Sequence, residues 1–350
     1  MHVQWLILKG KEDEAQNVIA ALEDLPFDDP LVRTEFIEIK DTVLEMKQHG
    51  YADLFTMGPD RNFHRVVLGY VNQVFQQISG INLITYYAAT IYEQYIGLDH
   101  VTSRILAAAN GTEYFMASWI AVYTIEKFGR RSLMLFGAAG MAGSMAILAG
   151  MNYMSEVNQG GSAPGIVAAI FLFVFNSFFA IGWLGMTWLY PAEIVPLKIR
   201  AGANGLSTSA NWAFNFMVVM ITPVSFSSIG YKTYIIFAVI NSFILPVVYF
   251  LYPETAYRSL EEIDNIFQKT KGVRGWFSVV SIAKNEPQRY GKNGELLIDY
   301  SQTEEHATRV RSHSIATAEG KPVSRGVENI GVPGTESGET SINEKNSSNV

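Results

Sequence analysis

Two apolar stretches of the chain concentrate uncharged amides at helical spacing. In NQVFQQISGINLITYY, Gln73, Gln76 and Gln77 recur three and four residues apart, which puts them on one helix face. On a straight helix Asn82 would point about 140° away from Gln77. The intervening Ser79-Gly80 is where the helix can loosen and bring it back. In GANGLSTSANWAFNF, Asn204, Ser207, Asn211 and Asn215 form a second polar stripe with Trp212 beside it, and IGWLGMTWLYPAE supplies Trp188. Amides donate to and accept from hydroxyls without carrying charge, and indoles stack on apolar ring faces. The pattern suits a neutral, polyhydroxylated ligand such as a sugar. The same residue types also hold helices together. Gln73 reads as such glue, Gln76, Gln77 and Asn82 as ligand-facing, and Trp183 as an interfacial anchor.

Glu113, with Asn110 one turn earlier, lies midway along another apolar stretch. A carboxylate there is expensive. Two readings stand open: a proton carrier or ligand, and a protonated acid bonded to a neighbouring helix. Polar loops follow three of the apolar stretches. EKFGRRSL carries Glu126, Arg130 and Arg131; YPAEIVPLKIRAG carries Glu193 and Arg200; YPETAYRSLEEID carries Glu254. Acids and arginines repeated at successive helix ends can form an ion-pair network that latches one conformation and releases in another.

These residues need elements that hold them in a bilayer. The 350-residue chain is 17% charged and has no cysteine, which removes disulfide frameworks, thiolate metal sites and thiol catalysis. The charge is unevenly spread. Positions 66–252 hold 13 of the 59 charged side chains, about 7% of that block, against about 28% elsewhere. That contrast predicts an all-α membrane protein with polar ends. Six spans are expected at about 66–92, 104–125, 132–153, 164–190, 203–228 and 232–252, within a transmembrane bundle at 61–253. Arg61, Arg65, Lys127, Arg130, Arg131, Lys198 and Arg200 fall on one side of it, and Arg104 and Lys232 on the other. The positive-inside rule therefore places both termini in the cytosol. The segment 1–60 reads as a cytosolic helical segment, with one amphipathic helix ending near Pro26 and a second near 30–48. Residues 254–284 read as a post-membrane segment, and 285–350 as a disordered tail in which Ser312, Ser314 and the Asn346 acceptor triplet are incidental. No basic stripe suits nucleic acid, no cleavable signal peptide is visible, and no metal or cofactor is implied.

QQISGIN followed by Tyr86-Tyr87, Glu126 to Arg131, PAEIVPLKIRA and PETAYRSLEEID together resemble the sugar porter family of the major facilitator superfamily. The likeness is to the carboxy-terminal half of its glucose-transporter-type members, with a fungal character in the tail. The resemblance implies sugar-binding amides at Gln76, Gln77, Asn82 and Asn211, and substrate-facing tryptophans at Trp188 and Trp212. It implies gate tyrosines at Tyr86 and Tyr87, and a cytosolic ion-pair network of Glu126, Arg130, Arg131, Glu193 and Arg200, with Glu254 in the last loop.

The chain departs from the family in several places. Tyr114 stands where many members have asparagine, beside the unusual Glu113, and both are candidates for the substrate lining. GWLGMT replaces a proline-rich stretch, so flexibility there rests on Gly182 and Gly185, and PETAY replaces PETKG. The amino-terminal bundle that members place before WLILKG is absent, which reads as a truncated gene model or a fragment rather than a natural six-span domain. The expectation is a multi-pass plasma-membrane transporter of hexoses or related polyols, with protons as a candidate co-substrate and a missing amino-terminal bundle as a needed partner. A nutrient sensor signalling through the tail is the alternative. A membrane enzyme lacks any acid–base pair, metal cluster or nucleophile arrangement.

Overall fold

Apolar side chains of the first fifty residues recur at helical spacing. In the computed structural model they close a small core of their own, made of Leu6, Ile7, Ala15, Ile19, Ala20, Val32, Phe36 and Val43. The structure describes residues 3–48, 50–158, 162–270, 272, 275–288 and 291. Three helices build this core: α1 (Val3–Leu8), α2 (Glu12–Glu23) and α3 (Pro30–Gln48). The single amphipathic helix expected before Pro26 is thus two, because the chain turns at Lys9-Gly10. A short 3-10 helix, Tyr51–Phe55, leads into the bundle. The tail serines and the Asn346 triplet lie outside the described residues.

The bundle comprises α4 (Asn62–Ile78), α5 (Ile81–Thr90), α6 (His100–Phe128), α7 (Arg130–Asn158), α8 (Ser162–Phe179), α9 (Met186–Ile194), α10 (Leu197–Ile229) and α11 (Lys232–Leu251). Among the described residues four stretches are long and apolar enough to cross a membrane: Arg130–Ser155, Ala163–Ile194, Leu197–Ile229 and Lys232–Leu251. The first expected span is broken into α4 and α5. The second, α6, is a continuous 29-residue helix diluted by Asn110, Thr112 and Glu113 in its middle. After the bundle come α12 (Leu260–Gln268) and α13 (Gly275–Asn285), so ordered helix reaches the start of the expected tail. A capping box opens α12: Glu262 N–H donates to Ser259 Oγ, and Ser259 N–H donates to the Glu262 carboxylate at 2.8 Å.

Two irregularities shape the bundle. Gly80 sits at φ +101°, a conformation that a side chain resists. A Cβ there would also come within 2.7 Å of Met145 and 3.0 Å of Phe237. Ser79 O, freed by this break, accepts from Asn241 Nδ2 of α11 at 2.7 Å. The second irregularity is a π-helical stretch, Ala180–Leu184, between α8 and α9. It brings Gly182 against the Gly137 backbone of α7, where a Cβ would lie 2.6 Å from Gly137 Cα. Trp183 is fully buried there and donates from Nε1 to Met134 O at 3.1 Å. It is a core residue and not the interfacial anchor expected, because the π-stretch turns its ring towards α7.

Gly80→Ala should lower the unfolding free energy in detergent by about 2–4 kcal/mol, combining backbone strain with overpacking. Gly97 is equally left-handed, at φ +81°, but open space surrounds it. Gly97→Ala should therefore cost only about 1 kcal/mol. Equal thermal shifts for the two variants would remove the close approach at Gly80 from this account.

Candidate functional site

The amides of the two polar stripes meet where α4 and α5 face α10. Asn211 Nδ2 donates to Gln73 Oε1 at 2.6 Å and to Gln76 Oε1 at 2.7 Å. Gln77 Nε2 donates to Asn211 Oδ1 at 2.9 Å and to Gln76 Oε1 at 3.2 Å. Gln77 Oε1 in turn accepts from Asn82 Nδ2, and from Asn215 Nδ2 at 3.3 Å. The break at Gly80 thus sets Asn82 against Gln77 despite their angular separation on an ideal helix. Gln73, Gln76, Gln77, Asn82 and Asn211 are all buried. Each amide has a partner, as an apolar setting requires.

Gln73 also joins this cluster to the second broken helix, donating to Thr187 O at 3.1 Å. Asn72, which sequence reasoning passed over, donates to Met186 O at 3.3 Å. The first turn of α9 has its carbonyls met by α4 in this way. Asn72 adjoins Gln73 and stands four residues before Gln76, so the helical spacing that marked the stripe could have found it.

Other expected site residues lie apart from these amides. Trp188 and Trp212 are half or more exposed, Trp212 directly after buried Asn211. Tyr86 is exposed, while Tyr87 donates from its hydroxyl to Val219 O of α10 at 3.0 Å. Tyr114 packs its ring near Phe179, with centroids 6.2 Å apart. Glu113 accepts a hydrogen bond from Ser177 of α8. Neither Glu113 nor Tyr114 makes a hydrogen bond to the amide cluster.

The loop acids and arginines gather at one end of the bundle. Arg130 donates to Glu193 Oε1 from Nε at 3.1 Å and from Nη2 at 2.9 Å, and to Glu126 Oε1 at 3.2 Å. Burial works against its charge, but the Glu193 and Glu126 carboxylates outweigh it and raise its pKa. Glu193 Oε2 accepts from Thr255 Oγ1 at 2.6 Å. Glu254 pairs with no arginine side chain among the described contacts. Its carboxylate instead accepts the backbone N–H groups of Arg130 at 2.8 Å and Arg131 at 3.1 Å, an anion seated on the amino terminus of α7. Gly129, at φ +80°, permits this approach, since a Cβ there would lie 2.5 Å from Glu254. Two expected members of the network are placed otherwise. Arg131 donates to Tyr249 O at 2.7 Å and lies over the Tyr249 ring, and Arg200 donates to Val195 O at 3.1 Å. A guanidinium near a helix end finds free carbonyls as readily as carboxylates, and charge spacing does not distinguish them.

Sequence reasoning also missed a second clasp at this end. Arg65 is fully buried, pairs with Asp264 of α12 and lies 4.5 Å from the Phe267 ring centroid. Asp60 pairs with Lys198; the Lys198 hydrogen bond holds its carboxyl below the usual range, against the opposing effect of burial. His64 stacks on Trp276 of α13 with centroids 4.1 Å apart. Burial, then Arg61 and Arg65, pushes His64 down to about 4.

Among the described residues, an all-helical bundle with two broken helices, a buried amide cluster and an ion-paired loop end has the architecture of a polytopic membrane domain. The description "Sugar (and other) transporter" matches residues 3–267. The chain belongs to that family, the sugar porters of the major facilitator superfamily. It is 36% identical to the sugar transporter STL1 of Saccharomyces cerevisiae, over 89% of this chain and 52% of the yeast protein. It is 35% identical to the MFS-type transporter oryC of Aspergillus oryzae, over 85% of this chain and 56% of that one. Among solved structures it is similar to the proton:xylose symporter XylE bound to 6-bromo-6-deoxy-D-glucose, with 25% identity and a TM-score of 0.58 over 75% of this chain and 54% of that one. The chain spans about half the length of the relatives it matches. The family is one of membrane transporters, not enzymes.

A double-mutant cycle between Arg130 and Glu193 should give a coupling of about 1–3 kcal/mol in unfolding free energy. The same cycle between Arg131 and Glu193 should stay within about 0.5 kcal/mol; comparable couplings would contradict the pairing described. The pH dependence rests on His64. Its folded pKa lies below that of free imidazole, about 6.5, so its contribution is complete above that value. Stability should fall as pH drops from about 6.5 towards about 4, because the unfolded chain takes up the proton first. His64→Phe should flatten that part of the thermal-stability profile.

Proposed function

We propose that this chain forms the carboxy-terminal, six-span half of an alternating-access sugar transporter, with α4 from about residue 66 onward and α5 as the first span and α6 as the second. The amide cluster between α4–α5 and α10 carries the reading, because it offers hydroxyl-matching groups without charge at the level of a helix break. In this reading Gln76, Gln77, Asn82 and Asn211 bind a hexose or related polyol. Trp188, Trp212, Tyr86, Tyr114 and Glu113 line the route around it. The chain spans about half of its relatives, so the opposite wall of the site comes from an amino-terminal bundle.

Glu126, Arg130, Glu193 and Glu254 latch the cytosolic side, with Arg131 and Arg200 holding loop and helix ends there. In this reading the protein lies in the plasma membrane with both termini in the cytosol, and the seven-to-two bias of basic loop residues supports that orientation. Proton coupling is supported by the likeness to a proton:xylose symporter.

The test is radiolabelled sugar uptake in a transporter-null yeast strain. The chain is expressed alone and together with the amino-terminal half of a fungal relative. Uptake should appear only on co-expression, and Gln77→Ala or Asn211→Ala should reduce it at least about tenfold, through amides left without partners. Co-expressed uptake that survives both substitutions would remove the amide cluster from the sugar path.

A further inference from the structure

In the seam between α6 and α8 a carboxyl group meets a hydroxyl, and several side-chain oxygens are buried without a donor. The Ser177 hydroxyl, which has one hydrogen, faces two acceptors. One is Phe173 O in its own helix at 3.2 Å, and the other is Glu113 Oε1 across the seam. Glu113 Oε2 is buried without a partner. One turn before Glu113, the buried Asn110 also leaves its side-chain oxygen unpartnered, as does Asn176, the residue before Ser177. An ionised Glu113 makes this worse, since a carboxylate accepts only. The serine hydrogen then serves Glu113 Oε1, and Oε2 of the same carboxylate still has no donor.

Among the described residues of the elements packed on α6, no lysine or arginine pairs with Glu113. α6 packs against α5, α7, α8 and the two π-helical stretches. Neither Ser162–Phe179 nor Ala180–Leu184 contains a charged residue, and the ionisable groups of Ile81–Thr90 are Tyr86 and Tyr87. The second π-helical stretch, Ile91–Tyr95, brings Tyr92 and Glu93. On α7, Arg130 and Arg131 stand at the far end, already bound to Glu193 and Tyr249. Arg104 is exposed and nine residues from Glu113 on the same helix, about 13 Å along its axis.

We infer that Glu113 and Ser177 form a proton-binding site in the α6–α8 seam, separate from the amide cluster. With a proton on Glu113, the carboxyl O–H donates to Ser177 Oγ and the serine O–H donates to Phe173 O. The carboxyl and hydroxyl hydrogens then each have an acceptor, and Glu113 carries no charge. Loss of the proton leaves a charge without a counter-ion and a carboxylate oxygen without a donor, which loosens α6 from α8. The inference rests on the proposed function only in placing both helices in the bilayer.

The experiment is infrared spectroscopy of the purified 350-residue chain in liposomes at neutral pH. The protonated-carboxyl stretch should be present, should vanish in Glu113→Gln and should shift in Ser177→Ala. It should also shift on transfer to deuterated buffer, since a bound proton exchanges with solvent. Glu113→Gln keeps a donor for Ser177 and should retain the helical circular dichroism of the parent. In parallel, dicyclohexylcarbodiimide, which attacks protonated carboxyls, should label Glu113 and spare the exposed Glu93, read by peptide mass spectrometry. A carboxyl band unchanged in Glu113→Gln, a band that does not exchange, or equal labelling of Glu113 and Glu93 would overturn the proposal. Neither readout requires sugar, so failure of uptake and failure of this site register separately.

Discussion

A helix interrupted inside an apolar medium releases backbone groups that only neighbouring protein can satisfy. This constraint organises the bundle. At Ser79-Gly80 the freed carbonyl is taken by Asn241 of α11. Around the Ala180–Leu184 stretch, the Trp183 indole donates to Met134 O of α7, while Asn72 and Gln73 of α4 donate to the Met186 and Thr187 carbonyls that open α9. Each break is therefore tied to a second helix. Through Gln73, the repair of the second break shares a residue with the amide cluster. Breaking α4 from α5 is what lets Asn82 and Gln77 converge, and repairing the π-stretch fixes α4 against α9.

The opposite end of α4 is held by a different chemistry. Arg65, buried and paired with Asp264, and His64, stacked on Trp276, fasten the helix to α12 and α13. Arg130 and Glu193 join the start of α7 to α9, while Glu254 seats the segment after α11 on the amino terminus of α7. Apolar packing sets the bundle's interior, whereas charge-assisted bonds collect where helices end and carry unpaired N–H and C=O groups.

Legibility in the sequence followed the kind of signal each residue leaves. Gln73, Gln76, Gln77 and Asn211 were readable because helical periodicity places them without tertiary information. Asn82 required only the glycine beside it. The pairing of Arg130 with Glu193 could be anticipated from like motifs at successive loops. The partners of Arg131 and Arg200 could not, because backbone carbonyls leave no mark in a sequence and compete on equal terms with carboxylates. Trp183 was misplaced for a related reason: a π-stretch rotates everything after it, and no periodicity announces where it falls. Asp264 lay within a recognised motif, yet its partner Arg65 is 199 residues away.

The self-bonded state of the amide cluster bears on how tightly any hydroxylated ligand could be held. Asn211 already makes two donor bonds and accepts one, and Gln77 accepts two and donates two. A ligand hydroxyl must replace these bonds rather than fill vacancies, so the number of hydrogen bonds is nearly unchanged and the net gain per contact is small. Weak binding of this kind suits a site that must release what it takes up. Discrimination then comes from geometry: a ligand whose hydroxyls match the spacing of the displaced amides restores every bond. One that does not leaves a buried amide unpaired, at a cost of about 1–3 kcal/mol. Selectivity in such a site is set by the penalty for mismatch more than by the strength of the match.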